Sequence, residues 1–370
     1  MLRYIQYARA SAALLVVFFH AAGTLSLSKY FGASAKILEK YFWFGGRAGV
    51  AFFFVLSGFI IHHIHSKDIG HPNRIPKYLK KRLARIYPIY WVIFISVCLL
   101  AQLSPSLKAT IPTDWVLLIK SLLLLPQDKM VVGGTGAPVL DVAWSLQYEM
   151  LFYAVFAFSI ISKRTFAIII TAWILLITLS IPVGDGSFPL SFFSSHLIFL
   201  FILGILSSIF NNSRYHLPSP RAVASIAILL FILTGLFANN LRGQLIGGWL
   251  DWTYGIFGAL AISALVQMER TAPNSSSLDG HTSRILSMIG DASYSMYLIH
   301  FPLISILCKI LAGILVKNQI AAIFSFVVII VVSIIASLAF HFLIERPIQQ
   351  RLSPKRHPTQ TGSSVKIPAR

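Results

Sequence analysis

Arg9 and His20 lie eleven residues apart within an apolar run near the start of the chain. On an α-helix eleven residues make about 1100° of rotation, three turns plus roughly 20°, so the two share a face about 16 Å apart along the axis. An ionisable side chain inside a bilayer is costly and turns toward the protein interior or a water-lined cavity. An imidazole there exchanges a proton near neutral pH, which suits a general base; a buried histidine that only satisfies a helix contact is the alternative.

A second group falls in Trp144-Ser145-Leu146-Gln147-Tyr148-Glu149 and on to Tyr153. Ser145, Glu149 and Tyr153 recur every four residues and share a helix face. Counted from the outer end of its helix, Glu149 sits roughly 10 Å below the surface, level with His20. A carboxylate at that depth could hold the imidazole in one tautomer, as in hydrolytic triads, or could form a structural ion pair. Arg47, in a glycine-rich start at 45–49, could neutralise a carboxylate or bind substrate, or could snorkel to the interface. Ser293, Tyr297 and His300 form a polar stripe of the kind that lines a cavity, together with Trp144.

Two patterns point to less. His62, His63, His65 and His71 cluster where a helix meets water, but no carboxylate or cysteine completes a metal set, so no metal is expected. Gly133-Gly134-Thr135-Gly136 lacks the Lys-Ser/Thr of a phosphate loop. The segment 77–88 is different: Lys77, Lys80, Lys81, Arg82 and Arg85 could anchor a loop on the inner side or hold the phosphates of a cytoplasmic donor.

The elements that must position these residues follow from composition. Of 370 residues 56% are hydrophobic and 12% charged, with a mean hydropathy of +0.76. Soluble domains carry about a quarter charged residues, so a soluble enzyme and a disordered chain are both excluded. Apolar runs of about 20 residues cross a bilayer. Ten are expected, at 5–27, 42–65, 87–103, 142–162, 165–182, 191–210, 222–240, 250–268, 289–316 and 320–344. Trp115–Leu125 is too short and reads as interfacial or re-entrant. The run 1–27 also has signal-peptide character, but it is retained as the first span because others follow at once.

With the N-terminus inside, 21 basic residues fall in inner segments and 8 in outer loops, which places both termini in the cytoplasm. The formal charge of +19 therefore describes loops at a lipid surface and not a nucleic-acid site. Cys98 and Cys308 sit in apolar runs and suggest packing. Residues 1–345 form the membrane domain, and 346–370 a basic, flexible tail.

The order of these motifs resembles the acyltransferase-3 family of bacterial membrane O-acyltransferases. The match runs from Arg9-x10-His20 through Phe52–Phe59, Arg82-x-x-Arg85-Ile-Tyr87-Pro and Trp144-Ser-Leu-x-x-Glu149 to Ser293-Tyr-x-x-Tyr297-x-x-His300 and Glu345-Arg-Pro. The resemblance implies transfer of an acyl group, usually acetyl from acetyl-CoA, to a hydroxyl of a cell-surface glycan or lipid-linked intermediate. It implies catalysis by His20 with Arg9, and a donor site at Arg82 and Arg85. Met150 stands where many relatives have a second acid, and Ala51 where many have Asp. The form Gln-Tyr-Glu-Met is more like exopolysaccharide- and Nod-factor-modifying members. Some relatives carry a fused esterase-like domain, so a second-step partner of this chain is expected to be a separate protein.

The resulting expectation is an all-α polytopic acyltransferase of the bacterial inner membrane. Catalysis falls to His20, Glu149 and Arg9, and the donor to Lys81, Arg82, Arg85 and Tyr87. The acceptor cavity falls to Arg47, Trp144, Ser145, Tyr153, Tyr297 and His300. Acetyl-CoA is a substrate and no cofactor is permanently bound. The alternatives are a transporter or flippase using the same groups as a relay, and a succinyl or other acyl donor.

Overall fold

The computed structural model describes residues 3–103, 108, 111–180, 187–240, 247–271 and 281–352. Among them every regular element is helical, as expected where hydrocarbon leaves no water to satisfy an open backbone. In chain order these are α1 (Arg3–Leu25), α2 (Lys36–Phe42), α3 (Phe44–His65), α4 (Ile75–Ala101), α5 (Trp115–Leu122) and α6 (Lys129–Val132). They are followed by α7 (Trp144–Ile161), α8 (Lys163–Ser180), α9 (Leu190–Phe193), α10 (Ile198–Asn212) and α11 (Pro220–Asn240). The last are α12 (Gly247–Thr271), α13 (His281–Asp291), α14 (Ser293–Ile314), α15 (Gln319–Phe340) and α16 (Arg346–Leu352).

Nine stretches among the described residues are long and apolar enough to cross a membrane. The expected span at 165–182 is helical as α8, and its last two residues lie outside the described residues. The chain is therefore an all-α, multi-pass membrane protein. The third crossing departs from its expected bounds: α4 begins at Ile75, twelve residues before the apolar run at 87–103. Hydropathy rejects the cations of 77–85, whereas the helix turns Arg82 into the protein and leaves Lys80 and Lys81 exposed. At the other end, the chain passes through a π-helical turn, His341–Glu345, straight into α16, and 353–370 lie outside the described residues.

Helices in lipid gain little from burying apolar surface against each other, so close backbone packing decides their arrangement. The tightest crossing is between α3 and α10. A Cβ on Gly58 would stand 2.0 Å from the Phe201 carbonyl oxygen, and one on Gly204 would stand 1.9 Å from that of Val55. Above this crossing Phe201 stacks between Phe54 and Phe152, with ring centroids 4.7 and 4.2 Å away. α1 is the hub, touching α3, α12, α13, α14 and α15. α11 turns Ile226, Leu229, Leu233 and Phe237 outward, as a lipid-facing helix does.

The face where α1 begins, here the near face, also holds the end of α12, whose Glu269 accepts from the Arg3 amide at 2.6 Å. α5, too short to cross, lies against α4 with half of its side chains exposed. Tyr87, Tyr90 and Trp91 of α4 donate to the carbonyls of Leu123, Ser121 and Leu122 at 2.8, 2.6 and 2.9 Å. Those side chains satisfy carbonyls that the short helix leaves open.

Candidate active site

Two cavities lie along the interior, one above the other. The small chamber, of about 90 Å³, is walled by Arg9 from α1, Ser57 from α3, Arg82 and Arg85 from α4, Ser145, Glu149 and Tyr153 from α7, and Ser293, Tyr294 and Tyr297 from α14. Arg9 donates to Gln6 Oε1 at 3.1 Å and to Ser293 Oγ at 2.8 Å. Glu149 Oε1 accepts from Ser57 Oγ at 3.1 Å and from the Tyr153 hydroxyl. Arg85 makes no side-chain hydrogen bond or ion pair among the described residues, although it borders this space beside Glu149.

Arg82 is held from behind. Its Nη2 meets His65 Nε2 at 2.8 Å, and His65 Nδ1 meets Asp68 Oδ2 at 2.8 Å. A guanidinium only donates, so His65 Nε2 must be the acceptor and the ring's one proton sits on Nδ1, donated to Asp68. His65, 2% exposed, is thus fixed as one neutral tautomer between a cation and a carboxylate. The chamber wall presents three guanidiniums to one carboxylate, while Asp291 and Glu345 stand behind it as further acidic neighbours of Arg9. Glu345 is buried and accepts from Ser295 Oγ at 2.5 Å and His341 Nδ1 at 2.8 Å.

The large chamber, of about 900 Å³, lies toward the far face, roofed by residues 127–130 and 134–135. His20 borders it and makes no side-chain hydrogen bond among the described residues. Its ring centroid is 5.2 Å from that of His300 and 5.0 Å from that of Phe301. His300 Nδ1 donates to the Met296 carbonyl at 2.9 Å, and its buried Nε2 has no partner among the described residues. Across the chamber, Asp251 of α12 joins Arg47 Nε at 2.9 Å and His196 Nε2 at 2.7 Å. Trp144 and Tyr148 supply aromatic faces.

Of the residues singled out by sequence, Arg9, Arg82, Arg85, Ser145, Glu149 and Tyr153 meet in the small chamber, and His20, Arg47 and Trp144 line the large one. Tyr297 borders both, and His300 stands beside His20. Lys81 is exposed, and Tyr87 is spent on the end of α5; neither lines a chamber. The expected pairing of His20 with Glu149 is not formed. Counting depth from residue 142 assumed that α7 starts at the membrane surface. It starts below the loop of residues 127–141, so Trp144 is already level with the large chamber and Glu149 lies deeper, with Arg9.

Sequence reasoning passed over Asp251, His196 and Asp68, and it read His65 as one of a cluster where a helix meets water, whereas the structure buries it behind Arg82. Asp251 sits inside the expected span 250–268, where the cost of a buried charge flags it. Its partners come from α3 and from the turn between α9 and α10, and no spacing reveals them.

The sequence model of the family described as "Acyltransferase domain" (Acyl_transf_3) matches residues 2–342. The chain belongs to the acyltransferase-3 family. As a member, it is a membrane-bound O-acyltransferase. It is similar to the "Exopolysaccharide production protein ExoZ" of Rhizobium meliloti (strain 1021), 29% identical over 327 residues, covering 84% of this chain and 92% of the relative. It is also similar to "Acyltransferase MdmB" of Streptomyces mycarofaciens, 24% identical over 347 residues, covering 86% of this chain and 84% of that protein. No solved structure matches the chain. In this acyltransferase Glu149 of α7 thus stands among arginines, and His20, without a side-chain hydrogen bond among the described residues, faces the larger cavity.

Proposed function

We propose that this acyltransferase moves a short acyl group, acetyl from acetyl-CoA, onto a hydroxyl of a cell-surface glycan at the bacterial inner membrane. The observation that carries the reading is the contrast of chambers: a small one walled by guanidiniums, and a large one where polar and aromatic groups surround an unpaired histidine. A glycan acceptor is also supported by the similarity to an exopolysaccharide production protein.

In this reading the near face is cytoplasmic, because the basic residues concentrate in its loops. The donor enters from there, with anionic groups against Arg82 and Arg85 and the thioester in the small chamber. Guanidiniums suit both phosphate oxygens and the developing oxyanion of a thioester under attack. The acceptor sugar occupies the large chamber. His20 takes the hydroxyl proton as the oxygen attacks the thioester carbonyl, the carbon–sulfur bond breaks, and the proton passes to the leaving thiolate. His300, and not Glu149, is the ionisable side chain packed beside His20. Glu149 supplies a counter-charge to the arginines.

The test is acyl transfer by the purified protein in lipid nanodiscs with acetyl-CoA, read as free thiol and as acetylated glycan by mass. A mass shift in the surface glycan of cells lacking the gene is the matching in-cell measurement. Succinyl-CoA belongs in the same assay, since the unpaired Arg85 could receive its carboxylate. Transport of a glycan without any thiol release would sink the reading.

A further inference from the structure

The two chambers are divided by very little. Tyr297 and Val50 are the side chains that, among the described residues, both border the small chamber and face the large one across an interior partition. The Tyr297 hydroxyl lies 2.6 Å from Ser145 Oγ and donates to the Val142 carbonyl at 2.9 Å. With its one proton committed to Val142, it must accept from Ser145. The phenol is thereby tethered from α14 to the start of α7, at both its donor and its acceptor capacity. The ring lies edge-on to Phe53 at 6.3 Å, and 5.9 Å from the His300 ring.

This places an aromatic wall on the line between the guanidinium chamber and His20. A water needs about 10–15 Å³ of such free volume, so 90 Å³ admits a short acyl group and a few waters, with no room for a long chain. We propose that Tyr297 is the specificity-determining residue for the acyl group: its ring ends the donor chamber, limits acyl length, and keeps the water of the large chamber from the thioester until an acceptor arrives. This rests on the reading that the small chamber takes the acyl end of an acyl-CoA. The uncoupled reaction it prevents is hydrolysis, in which water attacks the carbonyl, the carbon–sulfur bond breaks, and acetate and the free thiol of CoA leave.

The test uses the full chain in nanodiscs with acetyl-CoA and butyryl-CoA, with and without the acceptor glycan. Tyr297→Ala joins the chambers, so hydrolysis of acetyl-CoA without acceptor should rise about tenfold. Butyryl-CoA should become a donor comparable to acetyl-CoA. Tyr297→Phe keeps the ring and loses the tether, so hydrolysis should rise less and butyryl should stay excluded. Val50→Ala thins the other part of the partition and should shift the butyryl-to-acetyl ratio in the same direction. It also keeps the test open if Tyr297→Ala fails to fold. These are gains, which a damaged fold does not give. An unchanged butyryl-to-acetyl ratio in Tyr297→Ala and Val50→Ala, in protein whose wild type turns over acetyl-CoA, overturns the gate alone. A wild type that neither binds nor turns over acetyl-CoA overturns the donor reading and the gate with it.

Discussion

The small and large chambers are built on opposite principles. In the small one, most polar side chains are tied to each other: Arg9 to Gln6 and Ser293, Arg82 to His65, Glu149 to Ser57 and Tyr153, with Arg85 the exception among the described residues. In the large one, His20 is untied, Arg47 and His196 share a single carboxylate, and the roof comes from loops. A buried charge without a partner costs several kcal/mol, so two of the three guanidiniums are held by side-chain hydrogen bonds, and Arg85 has only the nearby Glu149 and Glu345 charges to offset its burial. A room open to water has no such requirement, and its residues are free to follow the substrate. The difference teaches where each kind of specificity sits. In the proposed reading, the small room is the more preorganised of the two, and the large one, which takes the acceptor, is the more adaptable.

The comparison can be broken by variants that act in the wrong room. The largest effect is expected from His20→Ala, which should lower acyl transfer by about 10²–10⁴ while donor affinity stays within twofold, since loss of a general base typically costs that much. Near-normal transfer at equal protein level would remove His20 from the chemistry. Next, Arg85→Gln should weaken binding of CoA by about tenfold or more, as a charge-assisted contact is worth about 1.5–3 kcal/mol. Calorimetry with CoA and its dephosphorylated analogue separates a phosphate contact, where only the former weakens, from a general loss.

Asp251→Asn should raise the apparent KM for the glycan several-fold and leave that for acetyl-CoA unchanged, because the Arg47 and His196 orientation is lost only in the large chamber. Movement of the donor KM instead would mean that the rooms are not separate. The smallest effect, about threefold on donor affinity, belongs to His65→Ala, which removes the acceptor that positions Arg82. His65→Gln, whose carbonyl can accept from Arg82, should restore most of it. An equal loss in both variants would reduce His65 to packing.

Much of this was legible beforehand. The spacing of Arg9 and His20 placed them on one face, and the structure sets them in successive chambers on that face. The Ser293–Tyr297–His300 stripe runs past both rooms. The shortness of Trp115–Leu125 foretold a piece that does not cross, and its carbonyls are indeed met by α4. What failed was depth. Residue counting measures distance along one helix, and only packing says where that helix begins, so Glu149 came out level with His20. The Arg47–Asp251–His196 cluster was hidden for a related reason: two helices and a turn, far apart in sequence, contribute one group each.

α4 carries Arg82 and Arg85 on one stretch and Tyr87, Tyr90 and Trp91 on the next, so a single helix holds the wall of one room and the end of α5, whose Ser121 accepts from Gln127 in the other's roof. Pro88 sits where the two stretches join. A proline has no amide proton to give the carbonyl four residues back, so the helix is softest to bending just there. The arginines can settle around an incoming anion while the aromatic struts keep hold of the end of α5. In the proposed reading, donor capture and the shape of the acceptor's entrance are thereby mechanically insulated from each other, so that loading on one side need not disturb the doorway on the other.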